Sequence, residues 1–253
     1  GDEIAERTNK NLPGYMKVMN AFNTLGIGKN YPDYTENTLS GVPVTGLNFE
    51  FNPGLFYVSL TGLRNQDAID YISYKRNLMA GRIGIGKKDG SHFILSLMNI
   101  RDDEYSIIPD TNANSTLKPK ENWVMGLDGK LNLLNNMISL HGEGVVSMLT
   151  RDVRDPELTD NGIPKFIQDV FKPKGSSSAD YMYSFKATYD NDKSNTKIIA
   201  SMKMLGPGFY TLGNPSLRND KLQFEGKVEQ QFMERQISLS AGVRNLKDNL
   251  LET

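Results

Sequence analysis

Cysteine is absent from all 253 residues, which removes disulfide frameworks and thiolate metal sites from consideration. Long hydrophobic runs are absent too. A helical membrane bundle needs stretches of about 20 apolar residues, and no segment approaches that. Charge of one sign is also lacking: 29 Lys and Arg balance 30 Asp and Glu, for a formal net charge of -1. Such a balance argues against a protein built to hold nucleic acid. Apolar residues make up only 38% of the chain, low for a globular core. Disorder is not the explanation, because eleven Phe and eleven Tyr are spread along the chain.

What the chain has instead is alternation with period 2, the mark of strands with two chemically different faces. Between Asn122 and Leu134, residues Trp123, Met125, Leu127, Leu131 and Leu133 share a face against Asn122, Asp128, Lys130 and Asn132. Next, Ile138, Leu140, Val146 and Met148 oppose Ser139, His141, Glu143 and Ser147. The same pattern returns at 181–190, 197–204, 221–232 and 236–244, and more loosely at 47–60 and 79–85. Residues 92–101 are apolar on both faces, so their orientation stays open. A first strand is expected from about Lys17 to Gly28, giving eleven candidate strands.

Connections alternate strictly between two kinds. Short ones, such as Asn52-Pro53-Gly54, Lys88-Asp89-Gly90-Ser91 and Asn135-Asn136, carry hairpin chemistry. Long ones run over 29–43, 63–75, 104–121, 151–180 and 207–220. Many strands reach the 9–11 residues or so of a tilted transmembrane strand. The expectation is an all-β, antiparallel up-and-down transmembrane β-barrel of about 11–12 strands, with short turns on one rim and long loops on the other. Residues 1–16 form an N-terminal segment and 17–253 the barrel domain. A soluble sheet would also alternate, but it would need a second apolar layer that no amphipathic helix here supplies.

On this reading Asp128, Lys130, His141, Glu143, Lys186, Lys203, Glu225, Lys227 and Arg244 face the lumen, carrying both signs of charge. Aromatics at strand ends and loop bases, among them Tyr31, Tyr34, Tyr71, Tyr74, Tyr105, Trp123, Tyr181, Phe209 and Tyr210, suit an interfacial girdle. A two-histidine metal site would need His92 and His141 to meet across the sheet with a carboxylate such as Glu143. Polar lumen residues are the commoner outcome for such histidines. Asp102, Asp103 and Glu104 could supply hard oxygens to calcium, with Asp152, Asp155 and Glu157 as partners. The commoner fate of such a run is solvation, or pairing with Arg101, Arg151 and Arg154. Otherwise no cofactor is expected. No nucleophile elbow precedes a helix, so the chain is not expected to be an enzyme.

The loop 151–180 carries a short amphipathic stretch with Phe166, Ile167, Val170 and Phe171. It would serve as a lumen constriction or as a surface for a protein partner.

The runs Tyr74-Lys75-Arg76-Asn77, Gly84 to Phe93, Ile100-Arg101-Asp102-Asp103, Pro119-Lys120-Glu121-Asn122 and Gly206 to Pro215 resemble outer-membrane barrel proteins of Bacteroidota. The resemblance spans most of residues 20–250. It implies an outer-membrane location in a Gram-negative envelope, contact with outer-membrane lipid, and no catalytic residues. The first functional expectation is a porin-like pore or transport channel. The alternatives are a membrane-anchored scaffold whose long loops bind a protein, or a part of a larger secretion and export barrel.

Overall fold

The computed structural model describes residues 13–108, 117–158, 171–233 and 236–250. One short helix, α1 (Gly14–Asn20), precedes the strands. The first strand therefore starts later than expected from alternation. In residues 14–20 the apolar side chains Tyr15, Val18 and Met19 are spaced at helical intervals, and Pro13 stands just before the first turn, where a fixed φ and a missing N–H cost nothing.

Eleven strands follow: β1 (Phe22–Asn30), β2 (Val44–Phe51), β3 (Phe56–Gln66), β4 (Lys75–Gly86), β5 (His92–Asp103), β6 (Glu121–Leu133), β7 (Ile138–Thr150), β8 (Ser177–Asn191), β9 (Thr196–Leu205), β10 (Lys221–Phe232) and β11 (Ile237–Asp248). They form one antiparallel sheet in chain order, β1 to β11. Tight turns pin the register at one rim: Gly86 pairs His92, Leu133 pairs Ile138, and Asn191 pairs Thr196. At the β6–β7 turn, Asn135 and Asn136 take positive φ, which asparagine tolerates better than most residues. Among the described residues β1 pairs only with β2 and β11 only with β10.

The two faces differ. One is exposed and apolar, with Met79, Ile83, Phe93, Leu95, Phe185 and Val243 in the open; Met79 is 72% and Val243 76% exposed. Among the described residues, the charged side chains of this face (Lys29, Arg64, Lys75, Arg101, Asp103, Glu121 and Lys247) all stand toward the long-loop rim. The rest of the face carries no charge.

Between β2 and β9 the opposite face is covered by the chain itself. The segments 31–43 and 206–217 fold onto it, and Tyr34, Leu39, Val42, Phe209 and Leu212 join Leu78, Met98, Ile100, Val124, Val145, Met182 and Leu205 in one apolar core. That core draws on strands from β2 to β9, so the sheet curls around it. The inward segments hold each other: Ser40 N donates to Gly213 O at 2.9 Å, Thr211 Oγ1 to Thr38 O at 2.9 Å, and Asn214 Nδ2 to Glu36 O at 2.8 Å. Lys203 Nζ pairs with Glu36 at 3.1 Å. Asn122 on β6 joins them to the sheet, accepting from Leu212 N at 2.8 Å and donating to Ser147 Oγ at 2.9 Å. Glycine is required where the segments meet, since a Cβ on Gly213 would lie 2.4 Å from the Thr38 carbonyl oxygen.

Three aromatics expected at an interfacial girdle are instead interior: Tyr34, Tyr74 and Phe209 are buried. Tyr34 and Phe209 lie on the inward segments, and their loop position gave no sign of that. Aromatics do gather at the short-turn rim, where exposed Phe22 and half-buried Phe49 and Phe51 cluster with ring centroids 4.9–6.3 Å apart. Phe56, Phe93 and Phe232 are exposed near the same rim.

Candidate functional site

Below the apolar core, toward the short turns, the covered face becomes charged. Its centre is Asp128 on β6. The register places Lys130 opposite His92 of β5 on one side and opposite His141 of β7 on the other. Asp128 is two residues along β6 on the same face, so its carboxylate lies between the two imidazoles. His141 Nε2 is 2.7 Å from Asp128 Oδ1, and His92 Nε2 is 3.3 Å from Oδ2. Arg82, fully buried on β4, donates through Nη2 to Asp128 Oδ2 at 2.9 Å and through Nε to Ser96 Oγ at 3.1 Å.

The Arg82 guanidinium also lies over two rings, 5.3 Å from the Tyr34 centroid and 5.6 Å from that of Tyr57. Stacking of this kind suits the planar, weakly hydrated arginine head better than an ammonium. Tyr34 donates its hydroxyl to Ala80 O at 3.2 Å and receives one from Ser59 at 3.3 Å. Burial pushes the Tyr34 phenol up to about 12, so it stays a neutral donor.

Glu143 does not take part in a histidine pair. It faces Asp128 across the β6–β7 ladder, and its two oxygens accept from Thr35 Oγ1 and Asn37 Nδ2 of the inward segment. The histidines thus meet across the sheet as a metal site would require, but the carboxylate between them is Asp128. Lys130 donates to Asp89 O at 3.4 Å in the adjoining turn.

The remaining expected polar residues share this face along later strands. Lys186 lies opposite His141, Lys203 opposite Ser184 and Gln223, and Glu225 opposite Arg244. Lys227 pairs with Glu229. These groups are more exposed than Asp128 and Glu143 and do not reach the histidines.

Asp102, Asp103 and Glu104 do not converge. Asp102 is buried in a two-point pair with Arg76, at 2.7 and 3.0 Å, and accepts from Lys120 N at 2.9 Å. Asp103 caps Tyr105 N at 3.2 Å. Asp152 is held by Arg154 at 2.8 and 2.9 Å, and this guanidinium keeps its carboxyl below the usual range. The sequence pairing with Arg101 is replaced by Arg76, because Arg101 points to Glu121 at 3.8 Å from the exposed face.

Phe166, Ile167 and Val170 lie outside the described residues. Phe171 is described and buried. Two functional elements were not expected from sequence: Arg82 as the partner of Asp128, and the filling of the covered face by 31–43 and 206–217. The signal for the second was present in 92–101. Apolar residues on both faces of a strand mean that both faces are covered or contacted.

The fold and site define a class by shape alone: an all-β antiparallel meander with one apolar exposed face and a self-covered polar-to-apolar inner face. No family model matches the chain, and no curated protein matches its sequence.

Proposed function

We propose that the sheet is the wall of an outer-membrane β-barrel whose interior is filled by its own inward segments, and that it serves as a membrane anchor presenting its long loops to a protein partner. The observation that carries the membrane reading is the exposed face: apolar from the short turns upward, free of charge over that depth among the described residues, and rimmed by aromatics. A water-facing surface of that extent would be an aggregation liability. The filled interior favours the anchor over the pore, because the apolar core occupies the long-loop half between β2 and β9.

The pore or transport channel remains the second reading. What favours it is the row Lys186, Lys203, Glu225, Lys227 and Arg244, which lies on the inner face mostly clear of the apolar core. β1 and β11 run in the same direction, so direct closure would pair them in parallel, whereas one further strand would close the ring antiparallel.

Reconstitution into a planar bilayer tests the reading. Insertion with conductance at baseline supports the anchor, and conductance that deletion of 207–217 leaves unchanged supports the pore. Failure to insert, with a monodisperse chain in buffer free of detergent, removes both. Single cysteines scanned along β1 and β11, in a chain that has none of its own, report by oxidative cross-linking whether those edges touch.

A further inference from the structure

His92, Asp128 and His141 present one ligand atom each within 4.8 Å of one another. Convergence alone would be weak, but the His92 ring supplies a second observation. Its Nδ1 lies 3.2 Å from Lys87 O and 3.1 Å from Gly90 O. Carbonyl oxygens only accept, so Nδ1 must carry the hydrogen and donate it. In the neutral ring Nε2 is then a bare lone pair. That nitrogen is buried, makes no hydrogen bond, and sits on a side chain only 5% exposed, 3.3 Å from the Asp128 carboxylate. A lone pair aimed at a carboxylate is repulsive unless a proton or a metal cation stands between them. An imidazole whose far nitrogen is fixed by backbone carbonyls is the arrangement found around metal-ligating histidines.

We infer that His92 Nε2, His141 Nε2 and an Asp128 oxygen bind a divalent first-row transition cation of the Zn2+ type. Two imidazoles and one carboxylate suit such an ion better than the hard, oxygen-seeking Ca2+. The spacing is close to what is needed. Tetrahedral bonds of about 2.0–2.1 Å put ligand atoms about 3.3 Å apart. His92 stands at 3.3 Å from Oδ2 and His141 at 2.7 Å from Oδ1, so bringing one carboxylate oxygen to both imidazoles takes a small shift of these side chains, whose ligand atoms already lie within 4.8 Å of one another.

Arg82 remains on Asp128 Oδ2 and orients the carboxylate from outside the coordination sphere. The other charges at hand are Glu143, across the ladder from Asp128, Lys130, which is engaged by Asp89 O, and Lys186, opposite His141 on β8. Three protein ligands leave a fourth position. His141 is 40% exposed on its side chain, so that position opens toward water on the inner face. The inference rests on the register of β5, β6 and β7 and is independent of whether the outer face meets lipid.

The test is titration of the full, untagged chain with Zn2+ by calorimetry, and with Co2+ by visible spectroscopy. One Zn2+ per chain is expected, with His92→Gln and His141→Gln each weakening binding at least about tenfold. Lys203→Met, remote from the site, leaves affinity unchanged. Co2+ on the unaltered chain gives the intense bands of a four-coordinate site, and excess Ca2+ does not displace it. Absence of saturable binding overturns the inference. So does wild-type affinity in both histidine variants when far-UV circular dichroism shows them folded. If the variants misfold, the Co2+ spectrum of the unaltered chain decides alone: weak six-coordinate bands, or displacement by Ca2+, overturn it.

Discussion

The strands β5 to β7 and the pair β10–β11 are built on the same alternation, yet they end in different surroundings. On β5, Met98 and Ile100 are buried under the inward segments while Phe93, Leu95 and Leu97 stay exposed. On β11 every residue is exposed, on both faces. Alternation therefore reports which side chains share a face but not what lies against that face. The covering comes from elsewhere in the chain, in this case from segments at least 49 residues away from β5–β7 in sequence.

The largest expected difference between the two regions comes from removing the cover. Phe209→Ala deletes a ring that is 1% exposed and should cost about 3–5 kcal/mol in urea unfolding, with amide exchange rising across β5–β7 and unchanged on β11. Uniform exchange across both regions would mean they unfold as one unit and that the comparison is false. Next comes a charge on the outer face. Leu97→Arg on β5 and Val243→Arg on β11 should each cost about 2–4 kcal/mol in lipid vesicles if both faces meet hydrocarbon. A cost for Leu97→Arg with none for Val243→Arg would show that β11 stands apart from the bilayer.

The smallest effect concerns pH and belongs to the loop region next to β7. Asp152 has a folded pKa held low by Arg154, so its pairing adds stability above the ordinary aspartate range, near 4, and loses it as pH falls through the lowered value. Exchange protection of 151–158 should drop below about pH 4 in the native chain and stay flat over that window in Asp152→Asn. Protection on β10–β11 should not follow it.

Much of the sheet was legible. Most strands were found from their period, though β1 was placed too early and β5 showed no clear alternation, and most short turns were found from their Asn, Gly and Asp residues, because both signals are local. The inward segments were not legible, since Tyr34, Leu39, Val42, Phe209 and Leu212 follow no period and sit among turn-forming residues. The only hint was displaced onto their partners: Leu78, Met98, Ile100, Val124 and Val145 break the polar side of the alternation. The histidine pair was half legible. The Lys130–His141 register follows from the tight turn at Asn135-Asn136, but that of His92 against Lys130 is set beyond the long connection 104–120, and no local rule fixes it. That is why Glu143 looked as good a partner as Asp128.

The contacts between 31–43 and 206–217 also have a kinetic side. Strand pairing in this meander needs only neighbours, so hairpins can zip in order along the chain. The Thr38–Thr211 and Ser40–Gly213 bonds join residues 173 apart, and closing so long a loop from an unfolded chain carries a large entropic cost. Once β1 to β9 are paired, most of that separation is already spanned by ordered backbone. The clasp is therefore a late event in folding, a latch that closes only on a sheet already made.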